Sequence, residues 1–165
     1  MIRPCGPADA EAIFEIVNDG ANAYRGVIAA DRWHEPYMSR DELAQEIASG
    51  VVFSGLYEGA ELVAVMGLQL VKDVALVRHA YTRTANQGKG FGSRLLAHVR
   101  GQADRPILIG TWTAATWAIR FYERHGFRLV GREDTPALLR RYWAIPDRQI
   151  EDSVVLADDR WFGTS

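Results

Sequence analysis

The sequence has a single cysteine, Cys5, so no disulfide can form within the chain. That composition is compatible with a reducing compartment. Cys5 lies at the start of the chain, where a small buried side chain is a plainer interpretation than a reactive thiol. No apolar run approaches the ~18 residues that a membrane-spanning helix needs, and the first residues do not resemble a secretory signal. We therefore expect a cytoplasmic protein that does not insert into a membrane.

An excess of charge of either sign is also missing. The chain carries 19 Lys and Arg residues against 21 Asp and Glu residues, which gives a formal net charge of −2. General nucleic-acid binding normally comes with a basic excess, so we expect no nucleic-acid partner. We predict no metal site. The 165 residues, 48% of them apolar, are enough for one well-filled core, so a single domain over residues 1–165 is expected.

Apolar periodicity and turn residues divide the chain into strands and helices. Strands are predicted at residues 2–5, 51–57, 61–71, 74–83, 106–112, 127–130 and 153–156. Helices are predicted at residues 7–20, 40–49, 90–101, 114–125 and 136–143. Gly20 is expected to form a left-handed cap, and Ser39 with Glu42 has the spacing of a capping box.

The connections between these elements predict the fold class. Short turns join the three strands within residues 51–83, and such connections require antiparallel neighbours. A helix separates the strand at 74–83 from the strand at 106–112, so these two can lie parallel. We therefore predict an α/β protein with a mixed central sheet that is antiparallel in its first half and flanked by helices on both faces.

A glycine-rich segment, Gln87 to Gly92, connects a predicted strand to a predicted helix. Unsatisfied amides and the helix dipole favour anions at a helix N-terminus, so this segment predicts a site for a phosphorylated ligand. A Walker loop is excluded, because its Gly-x-x-x-x-Gly-Lys-Ser/Thr pattern is missing. A dinucleotide fingerprint is excluded because Ser93 stands where its last glycine should be. The spacing Gln/Arg-x-x-Gly-x-Gly/Ala, in contrast, is matched in full.

This loop, together with the segment Phe121 to Phe127 about 30 residues downstream, resembles the GCN5-related N-acetyltransferase (GNAT) family. The resemblance covers most of the chain, from Ile2 to about Leu156, because the order of elements agrees as well. It implies the GNAT acyl-CoA N-acyltransferase fold, acetyl-CoA as co-substrate, and direct transfer of the acetyl group to a primary amine of a small-molecule acceptor. The alternatives on the same fold are a non-catalytic or regulatory acyl-CoA-binding module and a transferase that uses another acyl-CoA.

The resemblance also implies which residues contact the coenzyme. The loop amides would hold the pyrophosphate, and the end of the preceding strand would pair with the pantetheine arm and supply an oxyanion donor worth roughly 3 kcal/mol. The implied coenzyme-binding residues are Ala80, Tyr81, Thr82, Gln87, Gly88, Lys89, Gly90, Phe91, Gly92 and Ser93. Tyr122 would protonate the departing thiolate. A thiol has a pKa of about 8.5 and a phenol of about 10, so this transfer depends on positioning.

The general base is less well defined. The glutamate that serves some family members falls at Leu76, and the coenzyme-contacting asparagine of many members falls at Ala115. His79 is the nearest replacement for the base, since a histidine ordinarily titrates close to neutral pH. His34 is a second candidate for the base. An ordinary structural histidine and a water relay without a dedicated side chain are the alternatives.

Residues 33–37 follow the first predicted helix, where the family usually forms a substrate wall. Trp33 and His34 are therefore predicted to contact the acceptor, and aromatic packing beside a helix start is the alternative. A homodimer is a further expectation, on a surface to which four tryptophans would contribute: Trp112, Trp117, Trp143 and Trp161. Burial in the core is the alternative for each of these rings.

Overall fold

A seven-stranded mixed sheet organises the computed structural model, which describes residues 1–163. The strands are β1 (Ile2–Pro4), β2 (Val52–Glu58), β3 (Glu61–Val71), β4 (Val74–Thr82), β5 (Ile107–Trp112), β6 (Arg128–Leu129) and β7 (Ser153–Ala157). Their order across the sheet is β1-β2-β3-β4-β5-β7-β6. β4 and β5 are parallel, as predicted, and every other pair is antiparallel.

The described helices cover the sheet and connect its strands. They are α1 (Ala10–Ala21), α2 (Arg40–Ala48), α3 (Phe91–Gln102), α4 (Thr116–Arg124), α5 (Thr135–Tyr142), α6 (Asp147–Glu151) and α7 (Asp159–Phe162). Short 3-10 helices cover Pro7–Asp9, Asn22–Tyr24, Ala30–Arg32 and Thr84–Asn86. Within residues 1–163, no helix is long and apolar enough to cross a membrane.

Both faces of the sheet carry a core because side chains alternate along each strand. On β4, Ala75 and Val77 pack in the same apolar cluster as Leu95 of α3. Leu76, between them, packs in a cluster with Leu139 of α5. A third cluster joins α1 and α2 to β2 and β3. The predicted mixed sheet with helices on both faces is confirmed.

The predicted capping box at the start of α2 is also confirmed. The Ser39 hydroxyl accepts from the amide of Glu42 at 3.1 Å, and the Ser39 amide donates to the Glu42 carboxylate at 3.4 Å. These two bonds satisfy donors that a helix start would otherwise leave without partners.

The prediction that Gly20 caps the first helix is wrong. α1 continues through Gly20 to Ala21, and Gly20 does not have a positive φ. A Cβ atom at this position would lie 2.6 Å from Cδ1 of Tyr81. The close approach of α1 to β4, rather than a turn, therefore requires a glycine here.

Several boundaries and elements in the second half differ from the prediction. α4 begins at Thr116 instead of Ala114, and β6 contains only two residues. The helices α6 and α7 were not predicted, because both are shorter than the span over which apolar periodicity can be recognised. Residues 164 and 165 of the predicted domain lie outside the described residues.

β4 and β5 separate towards their C-terminal ends. They pair only through Ala75–Val77 and Ile107–Ile109. Beyond this contact, β4 stays paired with β3 on one side and β5 stays paired with β7 on the other. The edges of residues 78–82 and 110–112 that face each other therefore form no strand pairing, and an opening lies between them.

A β-bulge marks the start of this opening. The register between β3 and β4 shifts between Val65 and Gly67, and His79 on β4 has a φ of 56°. Positive φ is uncommon outside glycine, but histidine is among the residues enriched there. Bulges change the direction of side chains and are common beside active sites.

Candidate active site

A cleft of about 1020 Å³ fills the opening between β4 and β5. The loop before α3 forms one end of it, and residues of α6 and β7, including Gln149 and Ser153, form the other. Ligand sites for drug-sized molecules typically measure roughly 300–1,000 Å³. The cleft is therefore large enough for a long ligand that enters at the loop and a second ligand that meets it from the opposite end.

Free backbone amides line up at the loop end of the cleft. Among the described residues, nothing accepts a hydrogen bond from the amides of residues 88–90. The amides of residues 91–93 form the first turn of α3, whose first hydrogen bond here runs from the amide of Arg94 to the carbonyl of Gly90 at 3.2 Å. Six consecutive donors, together with the positive end of the helix dipole, suit a diphosphate.

The backbone of the loop requires two of its glycines. Gly88 and Gly90 each have a φ of 80°, a conformation that L-residues rarely adopt. Gln87 lines the cleft, and its side-chain amide donates to the carbonyl of Thr82 at 3.5 Å. Lys89 is exposed and is not among the residues that line the cleft. Any contribution of Lys89 would therefore come from the rim.

The hydroxyl of Ser93 already has a partner. Nε2 of His125 lies 2.9 Å from Ser93 Oγ, and Nδ1 of His125 lies 2.7 Å from the carbonyl oxygen of Phe121. A carbonyl oxygen only accepts, so Nδ1 carries the proton. In the neutral ring Nε2 then accepts the hydroxyl proton of Ser93. A phosphate at this position would accept a hydrogen bond from the backbone amide of Ser93, because the hydroxyl of Ser93 donates its proton to His125.

The free edge of β4 supplies the second part of the predicted coenzyme site. Ala80, Tyr81 and Thr82 all line the cleft, directly after the bulge. Tyr81 pairs with Val65 on the β3 side, so the edge facing β5 remains open. A linear ligand with amide groups can add to such an edge as an extra strand does.

Tyr122 projects from α4 into the same cleft and is 7% exposed. Its ring makes edge contacts with Phe121 and Phe127, at centroid distances of 5.2 and 6.0 Å. Burial, with a smaller effect of Tyr24, raises the pKa of the Tyr122 phenol above its ordinary value. No described residue hydrogen-bonds its hydroxyl, so this proton is available to a ligand.

Two further tyrosines meet Tyr122 in the centre of the cleft. Burial raises the pKa of Tyr24, although its hydroxyl also interacts with Tyr81 and Thr111, which lower it. Burial likewise raises the pKa of Tyr81, and the neighbouring hydroxyls of Tyr24 and Tyr122 add to that effect. All three phenols are therefore protonated donors at neutral pH.

The imidazole of His79 is held against α2. Its Nε2 lies 3.4 Å from Oε1 of Glu46, and its ring stacks on Phe53 at a centroid distance of 6.2 Å. Burial alone would raise the pKa of Glu46, but His79 and Arg78 outweigh it and hold that pKa below its ordinary value. The carboxylate therefore stays charged beside the ring. If Nε2 carries the proton that faces Glu46, Nδ1 has the free lone pair.

Trp33 and His34, predicted to contact the acceptor, do not line the cleft. The indole of Trp33 donates to Glu35 at 2.8 Å and packs on Tyr37 at a centroid distance of 5.7 Å. His34 is exposed. Tyr37 lines the cleft in their place, which puts Trp33 in the layer behind it. An acceptor contact of Trp33 or His34 stays a prediction.

Three positions singled out in the sequence contribute no polar group to the cleft. Leu76 and Ala115 are both fully buried, so neither replaces the glutamate or the asparagine that the resemblance would place there. Cys5 lies beside the hydroxyl of Tyr57 at 3.7 Å, and burial raises the pKa of its thiol. A protonated thiol outside the cleft does not suit a nucleophile.

The described residues contain no group of three or more His, Cys, Asp or Glu side chains that could hold a metal ion.

The comparison with protein-family models matches residues 16–138 to the acetyltransferase (GNAT) domain. The chain belongs to the GNAT acetyltransferase family. A comparison with curated proteins finds no significant match.

Solved GNAT structures share the fold over nearly the whole chain. PaiA N-acetyltransferase from Thermoplasma acidophilum, solved with coenzyme A, has a TM-score of 0.70 at 17% identity and covers 96% of this chain and 97% of its own. A GNAT acetyltransferase from Staphylococcus aureus Mu50 gives 0.69 at 20% identity, with 96% and 97% covered. The ribosomal-protein-S18-alanine N-acetyltransferase from Escherichia coli gives 0.67 at 18% identity, with 96% and 92% covered. At 17–20% identity, these comparisons show that the fold is shared and nothing beyond the fold.

Sequence reasoning missed several cleft residues of this GNAT protein. Tyr24, Tyr37, Trp112 and Trp117 line the cleft, although the tryptophans were predicted to form an oligomer surface or core. Tyr24 stacks on Trp117 at a centroid distance of 5.9 Å, which links the segment after α1 to α4. The density of aromatic residues after α1 is the signal in the sequence, but their partners lie far along the chain.

Proposed function

We propose that this protein transfers the acetyl group of acetyl-CoA to a primary amine of a small-molecule acceptor, directly within a ternary complex. The observation that carries the proposal is the row of six free amides at residues 88–93, which opens onto the unpaired edge of β4. The amides suit the pyrophosphate, and the strand edge suits the pantetheine arm. The thioester would then lie between the two separated strands.

The proposed reaction uses groups on both sides of the thioester. The amine nitrogen attacks the carbonyl carbon, and a backbone amide beside the bulge at His79 and Ala80 stabilises the negative charge on the oxygen. The C–S bond then breaks, and the thiolate takes a proton from the Tyr122 hydroxyl, which recovers it from water. The amine loses its proton to Nδ1 of His79, whose opposite nitrogen faces Glu46.

The same geometry supports one domain for the described chain. Every strand of residues 1–163 joins the same sheet, and both ends of the cleft depend on elements from distant parts of the sequence. We therefore propose that residues 1–165 act as a single N-acetyltransferase domain.

A transfer assay with the full chain tests the proposed function. Acetyl-CoA is incubated with a panel of primary amines, free thiol is measured, and the products are identified by mass spectrometry. We expect thiol release that depends on the amine and yields one acetylated amine per thiol. Binding of coenzyme A without transfer to any amine would favour the non-catalytic module. Faster transfer from succinyl-CoA or propionyl-CoA would instead identify another acyl donor.

A further inference from the structure

The end of the cleft opposite the glycine loop has its own chemical character. We call it the acceptor end, and its residues are Tyr37, Trp112, Trp143, Ile145, Gln149 and Ser153. Three of these side chains are aromatic rings and one is aliphatic. The two polar ones are uncharged, and the hydroxyl of Ser153 already donates to the carbonyl of Gln149 at 2.7 Å.

The rings at the acceptor end are fixed by their contacts. The indole nitrogen of Trp112 donates to the Tyr37 hydroxyl at 2.9 Å, and Tyr37 packs on Tyr24 at a centroid distance of 5.5 Å. A Cβ atom at Gly110 would lie 3.1 Å from the Trp143 ring, so this glycine lets the indole lie directly on β5. Rigid ring walls can hold a flat apolar group without first paying for their own ordering.

Acidic side chains are missing from the lining of the cleft, as far as the structure describes the chain. Two acids beside cleft residues are paired: Glu46 with Arg78 at 3.1 Å, and Asp152 with Arg32 at 3.6 Å. An acceptor that carries a second ammonium group would lose water around that charge without gaining a carboxylate, which is unfavourable.

A free positive charge is also missing from the acceptor end. Arg78 lines the cleft, but its guanidinium is held by Glu46 and by Gln69 at 3.0 Å. Arg124 lines the loop end of the cleft, next to His125, which contacts Ser93 in the first turn of α3. The described residues of the acceptor end therefore offer no unengaged cation to an acceptor carboxylate.

We propose that the acceptor is a monoamine whose amino group is carried on a flat, uncharged aromatic body, and that polyamines and aminoglycosides are excluded. This inference rests on the proposed function, because it assigns the second substrate of that site. The amine reaches the thioester between β4 and β5, while its ring lies against Tyr37, Trp112 and Trp143.

A panel of primary amines with aromatic, saturated and polycationic bodies tests this assignment. The wild-type chain is assayed with acetyl-CoA and with 2-phenylethylamine, tryptamine, 2-cyclohexylethylamine, 1,4-diaminobutane and spermidine. We expect kcat/KM for the two aromatic amines to exceed that for the diamine and spermidine by roughly tenfold or more, with the cyclohexyl amine in between. Equal or faster acetylation of 1,4-diaminobutane or spermidine would overturn the inference and leave the proposed function intact.

Two substitutions of Tyr37 separate a ring contact from a general effect on folding. Tyr37→Leu removes the ring, and Tyr37→Phe removes only the hydroxyl that accepts from Trp112. We expect Tyr37→Leu to lower kcat/KM for 2-phenylethylamine by about tenfold and Tyr37→Phe to lower it much less. Coenzyme A affinity and melting temperature are measured for both variants as controls.

The outcomes distinguish the two proposals. If Tyr37→Leu retains its preference for aromatic amines over 1,4-diaminobutane, the ring does not select the acceptor and the inference fails. If the folded wild-type chain acetylates no amine at all, the proposed function fails, and the acceptor assignment falls with it.

Discussion

At the scale of single residues, Tyr122 differs from Tyr24 and Tyr81, the two phenols beside it in the centre of the cleft. The hydroxyl of Tyr24 interacts with Tyr81 and Thr111, whereas that of Tyr122 has no described partner. Burial raises the pKa of Tyr122 above the ordinary value of a phenol, which is about 10. The proton therefore stays on Tyr122 through the neutral range and is lost only as the pH rises through that raised pKa.

Replacing Tyr122 by phenylalanine removes this proton and keeps the ring. We expect Tyr122→Phe to lower kcat by about 10²-fold, because a positioned general acid contributes on that order. The dissociation constant of coenzyme A, measured by calorimetry, should stay within about threefold of wild type, because the ring contacts are preserved. For the wild type, kcat should show no alkaline decline below about pH 10. An unchanged kcat in the variant would remove Tyr122 from the acid role.

The pH dependence of kcat/KM tests whether His79 is the general base. A base of the histidine type produces a rise in kcat/KM that levels off close to neutral pH. Without such a base, the rate follows the fraction of free amine and rises towards the pKa of an alkylammonium, about 10. We expect the wild type to level off and His79→Gln to continue rising with the acceptor amine. Identical profiles would assign proton removal to water.

At the scale of elements, the contact between α1 and β4 shapes the cleft. Gly20 lies next to the last residue of α1 and packs on Tyr81, which belongs to the free edge of β4. Gly101 lies at the equivalent position of α3, a helix of the same length, and a Cβ atom there would have no neighbour within 4 Å. The two helices therefore provide a matched pair of glycines with different surroundings.

The same substitution should have opposite effects at these two positions. Gly101→Ala should raise the free energy of unfolding by about 0.5–1 kcal/mol, because alanine favours a helix and nothing obstructs its methyl group. Gly20→Ala should lower it by about 1–3 kcal/mol, because the ring of Tyr81 must move. Urea unfolding of both variants measures the difference. A stabilising Gly20→Ala would show that α1 does not pack against β4 as described.

Sequence patterns predicted the helices and strands better than the contacts between residues that are distant in the sequence. The strands around the turns at Gly59 and Asp73 and the capping box at Ser39 depend on neighbouring residues, so local reasoning was sufficient. The pattern of the loop from Gln87 to Gly92 is equally local, and the loop lies between β4 and α3 as predicted. All of its residues except Lys89 line the cleft. The role of Gly20 was missed because it depends on Tyr81, which is distant in the sequence.

The residues of the acceptor end could not be predicted for the same reason, because they meet only in the folded chain. Tyr37 and Trp112 are 75 residues apart, and only the fold brings them into hydrogen-bond contact. Trp33 and His34 were predicted from their place in the chain, but the direction of a loop side chain is not encoded in a local pattern. The backbone of residues 22–39 contains two 3-10 helices, and Tyr24 and Tyr37 of this segment line the cleft.

At the scale of the whole molecule, net charge does not explain the binding of an anionic coenzyme. The chain has a formal net charge of −2, so its overall field does not attract a polyanion. The attraction must come from local groups, and the amides of residues 88–93 form a row of donors without partners at the loop end of the cleft. We therefore propose that these amides bind the pyrophosphate of the coenzyme.

A matched pair of substitutions at Gly90 tests this claim most directly. A side chain there has open space around its Cβ, and both Asn and Asp tolerate the left-handed φ of 80°. Coenzyme A is titrated calorimetrically into the wild type, Gly90→Asn and Gly90→Asp. We expect Gly90→Asp to bind at least about tenfold more weakly than Gly90→Asn, because only the carboxylate repels the pyrophosphate. Equal affinities of the two variants, or no binding by the folded wild type, would contradict the account.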